Sequence, residues 1–192
     1  MKYAAIDIGT NAARLLVGEV VSNEGGIFIK KISYTRLPLR LGDDVFEDGK
    51  ISKNKADDFV KTMKAFKLIT EIFDVEEIRA VSTSAMREAS NAAKITERIL
   101  KETGINLEII SGNEEAELIF SNFLIIKMDF SVPFIVIDVG GGSTEISVFE
   151  NGQRVASMSF NVGTIRILKG KSDPSVWGNM HDWILKYVDL SS

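Results

Sequence analysis

The chain is 192 residues long, 45% apolar and 26% charged, the make-up of a globular protein with enough apolar material for a sizeable core. Its 23 Lys and Arg against 27 Asp and Glu leave a formal charge of −4, which argues against a general nucleic-acid binder. Cysteine is absent and there is a single histidine, His181, so the composition speaks against a disulfide framework, a thiolate zinc site, a Cys nucleophile or a His-rich metal centre. The N-terminus reaches Asp7 before any long apolar run forms, and no stretch approaches the roughly 18 uncharged apolar residues of a membrane span. The expectation is a soluble, cytoplasmic protein that engages neither nucleic acid nor membrane.

Tyr3 to Ile8 is a short apolar run ended by Gly9-Thr10-Asn11. Ala13 to Val21 resumes it, Ser22 to Gly26 turns, and Ile27 to Thr35 gives a third strand, together an antiparallel meander. The acidic stretch with Asp43, Asp44, Glu47 and Asp48 reads as a solvated loop, its spacing unlike a Ca²⁺-binding EF-hand loop. Ser52 is placed to cap a helix from Lys53 to about Phe73, with Ala56, Phe59, Val60, Met63, Phe66 and Leu68 as its buried face. Glu77 to Ser82 reads as a strand, Asn91 to Thr103 as a helix closed by Gly104, Leu107 to Ser111 as a strand and Glu114 to Lys127 as a helix. Strands alternating with helices of this length imply crossover connections and a largely parallel arrangement after the meander.

From Asp129 to Pro133 the pattern restarts. Phe134 to Val139 reads as a buried strand, Gly140-Gly141-Gly142-Ser143-Thr144 as a turn, and Glu145 to Phe149 as the next strand. Asn151-Gly152 suits the two positive φ angles of a type I′ hairpin, and the return strand runs to about Phe160. Asp173-Pro174 signals a helix start, with Trp177, Met180, Ile184 and Tyr187 on one face of that last helix.

Ile6-Asp7-Ile8-Gly9-Thr10 and Ile137-Asp138-Val139-Gly140-Gly141 are two versions of one pattern, an apolar strand carrying Asp-x-Gly at its end and a small-residue turn after it. Glycines let backbone approach a phosphate and aim N–H groups at its oxygens. Thr10, Asn11, Ser143 and Thr144 add short side-chain donors, while Asp7 and Asp138 at strand ends suit Mg²⁺, with Glu145 close enough in sequence to join them. A single Asp-x-Gly is as well explained by an Asp that caps a turn. Two copies with Gly-rich turns suggest two similar α/β lobes facing each other. Arg14 and Arg166 follow these stretches and are candidates for added positive charge. Glu114 and Glu115 open a helix, where acidic residues are ordinary partners of the dipole. His181 reads as incidental, and Trp177 and Trp183 as packing or interface residues.

The Asp-x-Gly-Thr-Asn and Asp-x-Gly-Gly-Gly-Ser-Thr-Glu pair resembles the two phosphate loops of the actin, heat-shock chaperone and sugar kinase superfamily. Within it, Ser82-Thr83-Ser84-Ala85-Met86-Arg87-Glu88-Ala89 and Ile110-Ser111-Gly112-Asn113-Glu114-Glu115-Ala116 resemble the exopolyphosphatase and guanosine pentaphosphate phosphatase family. The resemblance covers roughly residues 1 to 170. It implies an α/β fold of actin-like, ribonuclease H-like duplicated lobes, each a mixed sheet with flanking helices. It also implies that Glu115 is the general base for water, that Arg87 neutralises phosphate charge, and that Asp138 and Glu145 are the acidic pair linked to Mg²⁺. The turns Gly9-Thr10-Asn11 and Gly140-Gly141-Gly142-Ser143 would bind phosphate. The mechanics agree, since phosphoryl transfer rests on positioning and charge neutralisation, and a hydrolase needs a carboxylate within reach of the attacking water.

Ala12 stands where that family commonly has a serine, and its members continue well past this length. The expected lobes are residues 1–128, with the meander, and 129–192, the start of an incomplete second lobe whose exposed apolar surface would invite a homodimer. The leading expectation is a Mg²⁺-dependent hydrolase of terminal phosphoanhydrides, with inorganic polyphosphate or guanosine pentaphosphate as substrate. Its rivals are an ATP-dependent kinase of the same superfamily and a non-catalytic phosphate or alarmone sensor.

Overall fold

In the computed structural model, which describes residues 1–23, 26–123 and 131–188, the chain divides into two units, Met1–Ile109 and Ile110–Ser192. The expected lobe junction at residue 128 and the last residues of the helix expected over 114–127 lie outside the described residues. Among the described residues no helix is long and apolar enough to cross a membrane.

The first unit begins with the expected meander, β1 (Lys2–Ile8), β2 (Ala13–Asn23) and β3 (Gly26–Leu37). To its free side β1 adds β4 (Glu77–Ser82) in parallel, and β4 adds β5 (Leu107–Ile109), giving the order β3-β2-β1-β4-β5. Strand alternation sends Ala4, Ile6 and Ile8 of β1 and Ala13, Leu15 and Val17 of β2 into the core. Helix α2 (Lys53–Ile72) supplies Phe59, Val60, Met63 and Phe66 to that core. Ser52 caps it as expected, its Oγ accepting from the Lys55 N–H at 3.4 Å. Leu68 does not belong to the buried face: it is 60% exposed, because it lies two residues beyond Phe66, about 200° round the helix. Thr62 and Thr70 are buried instead.

The acidic stretch expected as a loop is a helix, α1 (Leu41–Asp48). Leu41, Val45 and Phe46 bury one side of it, Gly49 closes it at φ +68°, and Lys55 pairs with Asp44 at 2.9 Å and Asp43 at 3.6 Å. Charge masked an apolar stripe of helical spacing. The Ser/Thr turn before Arg87 runs into a short helix, α3 (Ser84–Glu88), and α4 (Ala92–Thr103) ends on Gly104 at φ +72°, as expected.

The second unit holds α5 (Gly112–Phe123), the three-stranded meander β6 (Phe134–Val139), β7 (Thr144–Glu150) and β8 (Gln153–Phe160), then α6 (Thr164–Leu168) and α7 (Ser175–Tyr187). The hairpin turn takes the expected positive angles, φ +50° at Asn151 and +72° at Gly152. Helix α5 packs on β7 and β8, stacking Phe120 on Phe149 with ring centroids 4.1 Å apart, so this helix belongs with the second meander. The Asp173 carboxylate accepts the Ser175 N–H at 2.9 Å, the helix-start role expected of it, and that bond holds its pKa below the ordinary value.

Two expectations fail here. The packed face of α7 is Val176, Met180, Trp183 and Ile184, set against Ile146, Phe160 and Val162, while Trp177 is 52% exposed. Strand β6 is half-buried rather than buried. Ile135, Ile137 and Val139 are 42%, 60% and 56% exposed, whereas Ala4, Ile6 and Ile8, at the same places in the first pattern, are at most 4%. Among the described residues β6 is an edge strand, while β1 has a neighbour on both sides.

Emptying the first core tests these helical faces. Phe59→Ala is expected to cost about 3–5 kcal/mol and Leu68→Ala no more than about 0.5 kcal/mol, read as shifts of the urea unfolding midpoint. Equal shifts would contradict this assignment of faces.

Candidate active site

The two Asp-x-Gly patterns fold into the same turn. Ile8 pairs with Ala13 and Val139 with Thr144 across equal loops. In the first, the Gly9 N–H donates to the Ala12 carbonyl at 3.0 Å; in the second, the Gly140 N–H donates to the Ser143 carbonyl at 2.9 Å. Each turn then gives its carbonyls to the helix that follows the meander. Thr10 and Asn11 accept the N–H groups of Gly42 and Arg40, while Gly140 and Gly141 accept those of Thr164, Ile165 and Arg166. The buried Arg166 adds its Nε–H to the Gly142 carbonyl at 2.8 Å. Among the described residues, the N–H groups of Gly141, Gly142 and Ser143 have no protein acceptor, the condition for an anion-binding nest.

Gly163 makes this packing possible. A Cβ there would stand 2.6 Å from the Gly141 carbonyl carbon and 2.7 Å from the Gly142 nitrogen. Neither α6 nor Gly163 has a signal in the sequence, and Arg166, expected to add positive charge, instead anchors the turn through its Nε–H.

The residues opposite the two aspartates differ in charge. Asp7 lies across from Arg14, whose Nη1 donates to Asp7 Oδ2. Asp138 lies across from Glu145, so two carboxylates stand as direct cross-strand neighbours, an arrangement that is destabilising alone. Glu115 joins them: one carboxylate oxygen from each of Glu115, Asp138 and Glu145 lies within 4.8 Å of the others. Ala116, Phe120, Val136 and Phe149 line the same crevice as Asp138 and Glu145, and apolar neighbours strengthen the mutual repulsion.

Glu145 is 3% exposed. Its Oε1 accepts the Ser159 hydroxyl at 2.7 Å, while its Oε2 is buried with no hydrogen-bond partner. An orphaned, buried carboxylate oxygen beside two further carboxylates fits a hard divalent cation.

Glu115 reaches this place because α5 is seated at its first residue. Ser111 and Glu114 form a capping box, with the Ser111 N–H donating to Glu114 Oε2 at 2.7 Å and the Glu114 N–H to Ser111 Oγ at 3.2 Å. Glu114 is therefore a cap, as its place in the first helical turn suggested, and Glu115 next to it faces the other carboxylates. Gly112 lies against β8, where an added Cβ would be 2.5 Å from Ser159 Cβ.

The remaining candidates, apart from His181, belong to the first unit. Arg87 is partly buried at the end of α3, and the Thr83 N–H before that helix donates to the Ile8 carbonyl at 3.2 Å, next to the Gly9 turn. Gly9, Thr10 and Asn11 form that turn, and Asp7, expected among the metal ligands, is engaged by Arg14. Ala12 takes the place of Ser143 and is buried. His181 stands exposed on α7 beside Asp182.

A family model described as the Ppx/GppA phosphatase family matches residues 20–173. The bifunctional 3-dehydroquinate synthase/phosphatase of Fusobacterium nucleatum is 33% identical over 168 residues, covering 85% of this chain and 25% of that protein. Exopolyphosphatase 1 of Mycobacterium leprae is 33% identical over 172 residues, 88% of this chain and 49% of that one. The crystal structure of an exopolyphosphatase from Cytophaga hutchinsonii superposes with a TM-score of 0.80 at 27% identity, over 98% of this chain and 61% of the other. The chain thus spans about a quarter and about half the length of these two curated relatives.

Relief of the cross-strand repulsion is measurable. Without divalent cations, Asp138→Asn is expected to stabilise the protein by about 0.2–1 kcal/mol, raising its melting temperature. Adding a divalent cation should raise the wild-type melting temperature and leave the variant's where it was. A metal-free variant that melts below wild type would show that Asp138 is not under like-charge repulsion.

Proposed function

This chain belongs to the Ppx/GppA phosphatase family, and on that premise we propose that it carries the hydrolytic centre of an exopolyphosphatase. The substrate is inorganic polyphosphate, shortened from its end by water. The observation that supports this reading most directly is the trio Glu115, Asp138 and Glu145, with the buried Glu145 oxygen that has no partner. The similar Mycobacterium leprae and Cytophaga hutchinsonii proteins are exopolyphosphatases, which favours polyphosphate over guanosine pentaphosphate, whose 5′ γ-phosphate presents the same bond.

In this reading Asp138 and Glu145 would hold Mg²⁺, which would supply charge neutralisation for the phosphate oxygens. Glu115 accepts a proton from the water whose oxygen attacks the terminal phosphorus, as the phosphoanhydride bond to the shortened chain breaks. The N–H groups of Gly141, Gly142 and Ser143 receive phosphate oxygens. Arg87 and the Gly9–Asn11 turn, which belong to the first unit, take the roles that the resemblance implies, a phosphate-neutralising guanidinium and a second phosphate turn.

The test is phosphate release from polyphosphate with and without Mg²⁺, for the protein and Glu115→Gln. Loss of a general base is expected to slow Mg²⁺-dependent release by about 10²–10⁴-fold. Release undiminished in the variant would remove Glu115 from its role. Release from guanosine pentaphosphate alone would change the substrate, and binding of polyphosphate without turnover would favour a sensor.

A further inference from the structure

We propose that Ser159 is the positioning residue of the carboxylate trio, through one side chain that fixes both Glu145 and the seat of Glu115. The proposal rests on reading the trio as a cation site, and it concerns a residue whose part in that site is set by packing as much as by hydrogen bonding.

Two contacts meet at Ser159. Its hydroxyl donates to Glu145 Oε1 at 2.7 Å, so that oxygen is held in place and Oε2 is left as the one without a partner. Its Cβ presses against Gly112, at 2.5 Å from where a Cβ on that residue would lie, and the same position is 3.8 Å from Glu145 Oε1. Gly112 is the first residue of α5, three places before Glu115. The seryl side chain therefore orients a carboxylate on β7 and sets how closely the helix bearing another can approach β8. A donor that fixes one ligand oxygen orients the carboxylate for metal, the usual part of an outer-shell partner.

A neighbour supplies the control. Ser157 and Ser147 face each other across the same strand pair, with hydroxyl oxygens 3.0 Å apart. Ser157→Ala removes a cross-strand hydroxyl bond of similar length without touching Glu145 or Gly112.

The experiment titrates Mn²⁺ into the protein, reading bound ion by electron paramagnetic resonance, for wild type, Ser159→Ala, Ser157→Ala and Gly112→Ala. The expected result is that Ser159→Ala weakens Mn²⁺ binding about 10–100-fold and Ser157→Ala leaves it at the wild-type value. Gly112→Ala, which forces Ser159 or the helix start to shift, is expected to weaken binding as well, and it carries the test if Ser159→Ala fails to fold. Wild-type affinity in Ser159→Ala or Gly112→Ala would overturn the proposal while leaving the cation site intact. Equal weakening in Ser157→Ala would also overturn it, since the effect would then be general to the sheet. A wild-type protein that binds no Mn²⁺ would overturn the reading of the trio and the proposal with it.

Discussion

Three carboxylates held within 4.8 Å of one another are the constraint around which the second unit is arranged. Left to themselves such groups separate, because like charges in apolar surroundings repel strongly. Here each is anchored by something other than its own chemistry. Asp138 and Glu145 are opposed by strand register. Glu115 is delivered by a helix whose start is fixed by a capping box and a glycine seat. The fold therefore maintains an unfavourable charge arrangement that a cation would turn favourable, and binding such an ion would stabilise the folded state by mass action.

The duplicated turn shows how one backbone serves opposite electrostatic ends. Both copies close with the same Gly N–H to carbonyl bond, and both hand their carbonyls to the next helix. One residue on the partner strand decides the character of each. Arg14 opposite Asp7 makes a neutral pair, and Glu145 opposite Asp138 makes a double negative. An ion pair is complete in itself; a pair of carboxylates calls for a counterion. The second copy is therefore the one whose charges a cation would balance, although the aspartates are equivalent in sequence.

Most of the fold is legible in the residues, because periodicity and punctuation agree over both meanders, α2, α4 and the hairpin. The failures have local causes. Charge conceals the apolar stripe Leu41, Val45 and Phe46 of α1, and the apolar run of β6 suggests burial because such a run does not reveal whether a neighbour covers it. At the site, the capping box was present as Ser111-x-x-Glu114, a signal that sequence alone offers. The partner of Glu145 was not. A two-residue hairpin at Asn151-Gly152 with unbroken register would set Met158 opposite Glu145. An irregularity between Val148 and Phe149 shifts the pairing and brings Ser159 there instead. One extra residue in one strand moves every side chain beyond it by a place, and no composition or spacing rule located that bulge.

The same geometry distributes support unevenly within the trio. Glu145 sits on β7, the central strand, which is hydrogen-bonded on both sides and buried along most of its length. Glu115 sits on a helix stacked on Phe149 through Phe120. Asp138 sits on β6, an edge strand among the described residues, with three apolar side chains of its opposite face open to solvent. Edge strands with little cover open at lower free energy than the sheet centre. Asp138 is thus the least secured of the three carboxylates, and a cation shared between it and Glu145 would tie the edge strand to the centre. Order in β6 and occupancy of the trio would then be coupled, each raising the other.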